Sequence, residues 1–150
     1  RGGAAVLVSS NSAPQDTDPN YVVALLSNNQ EQLKTSLATI SGHAAYSGSK
    51  QAIAIWMRRN APDYARSGVR LNAIAPGYTR TAMTEATEKD PKYSAAIKDY
   101  LETIPLGRAG KVSEIANVIG FLLCSEASFV SGSLLYVDGG HDAMYRPDSI

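Results

Sequence analysis

Residues Gly2 to Ser10 read GGAAVLVSS. Ala4 to Val8 form an unbroken apolar run, closed by glycines on one side and serines on the other. A strand with one wet face alternates apolar and polar side chains, whereas an unbroken run suits a strand covered on both faces, as in a parallel sheet between helices. Two further stretches read as strands. GVRLNAIAPG, Gly68 to Gly77, leaves through Pro-Gly, and SLLYVDGG, Ser133 to Gly140, ends in a glycine turn. Between them, Ala44 to Asn60 has helix-forming composition with apolar side chains at Ala52, Ile53, Ile55, Trp56 and Met57, which cover more than one face. Val112 to Cys124 is a second apolar helix. Pro62 lacks an amide hydrogen and is expected to break or kink the first. Strand, helix, strand, helix, strand predicts an α/β fold with three parallel strands and right-handed crossovers.

The remaining segments frame this core. Asn11 to His43 is polar, with Pro14 and Pro19, yet Val22, Leu25, Leu26, Leu33, Leu37 and Ile40 keep helical spacing, so residues 11–43 are expected to form a loop carrying one or two helices. Thr79 to Thr103 is polar and helix-prone around Pro91, and residues 79–108 are expected to act as a lid. The first strand begins almost at Arg1 with no cap before it. A three-stranded parallel sheet leaves that strand with an open edge, so the expectation is that an N-terminal half is missing.

Composition bounds the function. The 150 residues suit one domain, and an apolar share of 44% with 19% charged residues suits a packed core. Lys plus Arg and Asp plus Glu are both 14, and no basic run exceeds Arg58-Arg59, which argues against a nucleic-acid surface. VIGFLLC, Val118 to Cys124, falls far short of the roughly 20 residues that cross a bilayer. With one cysteine and no signal pattern, the expected setting is the reducing cytoplasm. Two histidines and no clustered carboxylate or cysteine ligands argue against a metal site.

AYSGSK, Ala45 to Lys50, carries the chemistry. Positions four apart on a helix lie one above the other, which brings Tyr46 and Lys50 together. An ammonium within about 4–6 Å stabilises a phenolate and makes an otherwise inert phenol a usable proton donor and acceptor near neutral pH. The small neighbours leave room for a ligand. Ser9-Ser10 and APGYTRT close two strands at the same carboxyl edge, where parallel sheets place their ligand crevices.

Strand-Ser-Ser, YSGSK, RLNAIAPGYTRTAM, PLGRAGKVSEIANVIGFLLCSEASFVSG and LLYVDGG occur in this order over nearly the whole chain. Together they resemble the short-chain dehydrogenase/reductase family. The resemblance implies the C-terminal part of a Rossmann-like doubly wound sheet, here the catalytic portion of one dehydrogenase domain. It implies an NAD(P)-dependent oxidoreductase that interconverts a secondary alcohol and a ketone. Ser10 would orient the substrate oxygen, with Ser9 the adjacent alternative; Tyr46 would exchange the proton, and Lys50 would hold the nicotinamide ribose. Pro76 and Gly77 would lie beside the nicotinamide, with Thr79 and Thr81 contacting its carboxamide or the pyrophosphate. Capping of the following helix is an equal reading of those threonines. Tyr78 and Met83 are the substrate-contact candidates; Ile97, Tyr100 and Leu101 would close over a ligand.

The family's glycine-rich phosphate loop and first strands are not found in these residues, so the choice between NAD and NADP is not legible, though the resemblance favours NAD. These 150 residues alone are expected to be inactive. Ser10 and Tyr46 are 36 positions apart, more than the family pattern uses, and the surplus reads as the helical insertion at 11–43. Bacterial 3α-hydroxysteroid dehydrogenase/carbonyl reductases and coniferyl-alcohol-type dehydrogenases resemble the chain in this insertion and in the tail VDGGHDAMYRP. If the insertion covers the Tyr46 helix, a homodimer through the 112–124 helix and last strand is expected. His43 reads as a helix-start residue, His141 and Asp142 as surface residues or contacts to a partner's tail, and Trp56 as core or interface. Two other readings compete: a catalytically silent fragment that retains the fold for oligomer contacts, and a serine hydrolase using Ser10 and Lys50, which lacks a Gly-x-Ser-x-Gly elbow.

Overall fold

The computed structural model describes residues 2–149. Three strands form a parallel sheet in the order β1 (Gly3–Val8), β2 (Val69–Pro76), β5 (Leu134–Val137). Gly3 pairs with Val69 through to Val8 with Ile74, and Ala73 to Pro76 pair with Leu134 to Val137. The strands lie where the apolar runs placed them, although β5 ends at Val137 because Asp138 begins a turn. The central strand is fully buried from Leu71 to Ala75. β1 has a partner on one side only, the open edge expected of it.

Residues 11–43 contain α1 (Pro19–Ser27) and α2 (Gln30–Leu37). Asp18 caps α1 by accepting from the Asn20 amide at 2.9 Å, and Asn29 caps α2 by accepting from Gln32. α3 (Gly42–Arg66) follows, capped by Ser41, and runs through Pro62 rather than stopping before it. Proline removes one intrahelical bond and leaves the Arg58 carbonyl without its donor. Arg58 and Pro62 both face solvent, so water can serve that carbonyl, and the last turn of the helix survives.

The core cluster joins Met57 and Ala61 of α3 to Leu71 and Ala73, with Ala5, Leu7 and Leu134 packed around it. Arg70, pointing to the other face of β2, donates to the Leu122 carbonyl at 2.8 Å and the Cys124 carbonyl at 2.9 Å, at the C-terminus of α6 (Val112–Leu123). The two connecting helices therefore cover opposite faces. With strands laid out in the order β1, β2, β5, connections over opposite faces have opposite hands, so the crossovers are not both right-handed as expected. Asn72, fully buried, replaces the missing alternation: it donates to the Val130 carbonyl and accepts from the Ser133 amide, fixing the approach to β5.

Beyond β2, the chain forms β3 (Thr79–Arg80), α4 (Ala82–Lys89), α5 (Ser94–Glu102) and β4 (Gly110–Lys111), which pairs in parallel with β3. The segment read as a lid is thus a helical pair tied at both ends by a two-residue ladder. After β5, Gly139 and Gly140 adopt positive φ and lead into α7 (His141–Tyr145).

Candidate active site

The carboxyl ends of β1 and β2 and the second and third turns of α3 meet. Pairing continues past β1: the Ser9 amide donates to the Ile74 carbonyl at 2.8 Å and the Asn11 amide to the Pro76 carbonyl at 3.0 Å. Ser10 is thereby held alongside the exit of β2. Ser9 Oγ donates to the Lys50 carbonyl at 2.8 Å, which pins that turn of α3 to the strand end. The Lys50 ammonium reaches back to the Val8 carbonyl at 3.4 Å.

Tyr46 and Lys50 lie as their spacing implied. Lys50 Nζ is 5.6 Å from the centroid of the Tyr46 ring, and the ring is 48% exposed. An ammonium carries three donors, so the single long contact to Val8 leaves capacity for ligand hydroxyls. Ser10 is nearly buried; its Oγ accepts from the Ser12 amide at 3.1 Å, which leaves the hydroxyl proton to donate. The two serines differ in their commitments, since the hydroxyl proton of Ser9 is already used on the backbone of α3.

The residues after β2 have more local duties than expected. Gly77 sits against the turn after β5: a Cβ there would lie 2.7 Å from Asp138 Cβ and 2.8 Å from its Cα, so glycine is demanded by chain packing. The Gly77 amide donates to the Val137 carbonyl, and Thr79 Oγ1 donates back to the Gly77 carbonyl at 3.0 Å. Thr81 caps α4, accepting from the Thr84 amide while the Thr84 hydroxyl accepts from the Thr81 amide. The capping reading of Thr81 therefore holds. Pro76 ends β2 at the carboxyl edge.

Tyr78 packs its ring against Tyr100, with centroids 5.9 Å apart. Its hydroxyl and Glu88 Oε1 are both enclosed without a hydrogen-bond partner. Burial, then the nearby Glu88 carboxylate, push the Tyr78 phenol above its ordinary value. Met83 is largely exposed on the outside of α4. Trp56 is also exposed, packed edge-on against Tyr64 on the outer side of α3, and does not belong to the core.

His141 is not a surface residue: it is buried, bonded to Asn11 and Thr103, and packed against Tyr100 and Tyr145. Asp142 is paired with Arg146 at 2.9 Å and is not a free surface carboxylate. Nothing in the sequence marked His141, because its partners are brought in from 130 and 38 positions away. A cavity of about 730 Å³ opens beside this cluster, between Asn11, Gln15, His43, Tyr100 and Tyr145. Among the described residues, no group of three or more His, Cys, Asp or Glu side chains is arranged to hold a metal ion. No helix among them is long and apolar enough to cross a membrane.

Residues 32–142 match the family described as Enoyl-(Acyl carrier protein) reductase. The chain is 43% identical over 106 residues to 3-alpha-hydroxysteroid dehydrogenase/carbonyl reductase from Comamonas testosteroni, covering 71% of this chain and 40% of that protein. Thus it spans about two fifths of the length of that curated relative. The fold superimposes on the 3-alpha-hydroxysteroid dehydrogenase from Pseudomonas sp. B-0831 complexed with NADH, with a TM-score of 0.86, 38% identity and coverage of 100% of this chain and 59% of that one. A gluconate 5-dehydrogenase from Burkholderia cenocepacia J2315, in complex with NADP and tartrate, gives a TM-score of 0.68 at 28% identity, covering 94% and 45%.

Proposed function

The chain belongs to the short-chain dehydrogenase/reductase family, and from that premise we propose that it is the catalytic portion of an NAD(P)-dependent oxidoreductase that interconverts a secondary alcohol and a ketone. The observation that carries the reading is the Tyr46–Lys50 pair, exposed at the carboxyl edge of the sheet with Lys50 Nζ 5.6 Å from the phenol ring centroid. The donor set fits the nicotinamide and its ribose: a phenol, an ammonium with spare donors and a serine hydroxyl. The bound dinucleotide would supply or accept the hydride at the substrate carbon. Tyr46 Oη would give a proton to the carbonyl oxygen in reduction and take it from the alcohol in oxidation. Ser10 Oγ would hold that oxygen through its hydroxyl proton. Lys50 would hold the ribose hydroxyls and favour the anionic phenol by its charge.

Pro76, Gly77, Thr79 and Thr81 border this edge, and their backbone groups are proposed to line the nicotinamide pocket. Tyr78, Met83 and the segment 79–108 are proposed to cover the substrate. NAD is proposed ahead of NADP because the similar structure from Pseudomonas sp. B-0831 holds NADH, and a 3α-hydroxysteroid and its ketone ahead of smaller carbonyls because the relative from Comamonas testosteroni bears that name. The test is NAD(P)H oxidation against a panel of cyclic and steroid ketones, for the full-length protein and for residues 1–150 alone. Turnover by the full-length protein supports the reading, and none on any carbonyl with either cofactor removes it.

We also propose a homodimer through α6 and β5. The insertion packs on α3 so closely that a Cβ at Gly48 would lie 2.4 Å from Thr17 Oγ1 and 2.7 Å from the Tyr21 ring, which covers that side of the helix. On α6, Val112, Phe121 and Leu123 remain exposed, and β5 pairs with a neighbour on one side only.

A further inference from the structure

A buried histidine ties the turn after β5 to two segments of the candidate site, and the proposed chemistry does not use it. His141 is 4% exposed. The Thr103 hydroxyl donates to the Tyr100 carbonyl at 2.6 Å, so its oxygen is left to accept. His141 Nε2 lies 3.1 Å from that oxygen, which places the ring proton on Nε2. Nδ1 then carries a lone pair, and Asn11 Nδ2 donates to it at 3.2 Å. Edge-on packing against Tyr100 and Tyr145, with centroids 5.2 and 4.8 Å away, holds the ring plane.

Both ends of the link are anchored. Asp138 accepts from the amides of Gly140 and Asp142, fixing the start of α7, and the Leu106 amide donates to the Gly139 carbonyl. At the far end the Asn11 amide is bonded to Pro76, so Asn11 cannot shift without moving Ser10 beside it. Thr103 is the residue that ends α5. An apolar side chain would fill the same space. Only a group with one donor and one acceptor on opposite sides joins Asn11 to Thr103.

We propose that His141, in its neutral Nε2–H form, is a positioning residue that holds the loop carrying Ser10 in register with the end of the α5 lid helix. The inference rests on the reading of Ser10 and the lid given above. Its two arms serve different steps: the Asn11 arm aims Ser10 at the reacting oxygen, and the Thr103 arm keeps α5 closed over bound substrate.

The experiment uses the full-length protein. His141→Phe keeps the ring packing and deletes both hydrogen bonds. Hydrogen exchange is expected to rise together in residues 10–13 and in α5, without any cofactor or substrate present. Nitrogen-15 NMR of the wild type is expected to show the proton on Nε2. In kinetics, Asn11→Ala is expected to lower kcat on the order of tenfold with KM nearly kept, and Thr103→Val to raise KM by a similar factor with kcat nearly kept. His141→Phe should show both effects, and His141→Gln, with one donor and one acceptor, should recover most of each. A proton on Nδ1, or unchanged exchange in both segments, overturns the proposal. So do variants that only lower the denaturation midpoint while the folded protein keeps kcat and KM. If the wild type turns over no carbonyl, the oxidoreductase reading fails, and exchange and tautomer still decide whether His141 makes the link.

Discussion

Lys50 is held at both its backbone and its tip. Its carbonyl takes the Ser9 hydroxyl and its ammonium reaches the Val8 carbonyl, so strand and helix fix the amine before any ligand arrives. Lys50→Met keeps the length of the stem and removes the charge and the donors. It is expected to weaken NAD(H) binding by about tenfold or more, measured by nucleotide fluorescence titration, and to lower kcat as well. The Tyr46–Lys50 pair was legible in the sequence because helical spacing alone brings the two together. Ser9 and Ser10 could not be separated that way, since only the structure shows which hydroxyl proton is already spent. His141 was misread because its partners depend on the tertiary fold, and no local pattern announces a buried imidazole. Gly77 was expected beside the nicotinamide, and the structure adds a second demand for glycine there, since Asp138 Cβ and Cα crowd the place its Cβ would take.

The glycine at position 48 decides how α1 meets α3. Gly48→Ala puts a methyl into Thr17 and the Tyr21 ring, and Thr17 is itself tethered to the Ala44 carbonyl at 2.7 Å. The expected cost is about 1–3 kcal/mol in urea unfolding, with α1 displaced from α3. At the start of α6, the Glu114 carboxylate accepts two hydrogen bonds from Arg108 and one from the Lys111 amide. These hold its carboxyl down to about 2, Arg108 being the larger cause. A depressed carboxylate stabilises the fold above its ordinary value near 4.5 and stops doing so as pH falls through about 2. The stability difference between wild type and Glu114→Gln is therefore expected to be constant above pH about 5 and to vanish toward pH 2, by thermal denaturation across that range. Elements with strong apolar patterning, β1, β2, α3 and α6, were readable from sequence. Pro62 does not break the helix: the Arg58 carbonyl it leaves without a donor belongs to a solvent-facing residue, so water can serve it. The hand of the second crossover was not legible, because the side of the sheet that α6 takes is set by Arg70 and Asn72 reaching across from β2.

At the scale of the molecule, Thr17 and Tyr21 pack closely on α3, while α6 exposes Val112, Phe121 and Leu123 and β5 keeps an unpaired outer edge, the surface proposed for the dimer. Light scattering of the full-length protein is expected to give the mass of a dimer across a micromolar concentration series, and Phe121→Glu to shift it toward monomer; a stable tetramer would contradict this. The overall architecture was legible because three apolar strands and their connecting helices admit few arrangements, whereas the layout around the lid depends on short ladders such as β3 with β4 that carry no pattern. The central claim remains the proton path through Tyr46, and pre-steady-state turnover of Tyr46→Phe in the full-length protein, beside a nucleotide titration, tests it most directly. The account predicts a hydride-transfer rate lowered at least about 100-fold with nucleotide affinity nearly kept; a variant that retains most of the wild-type rate would contradict it.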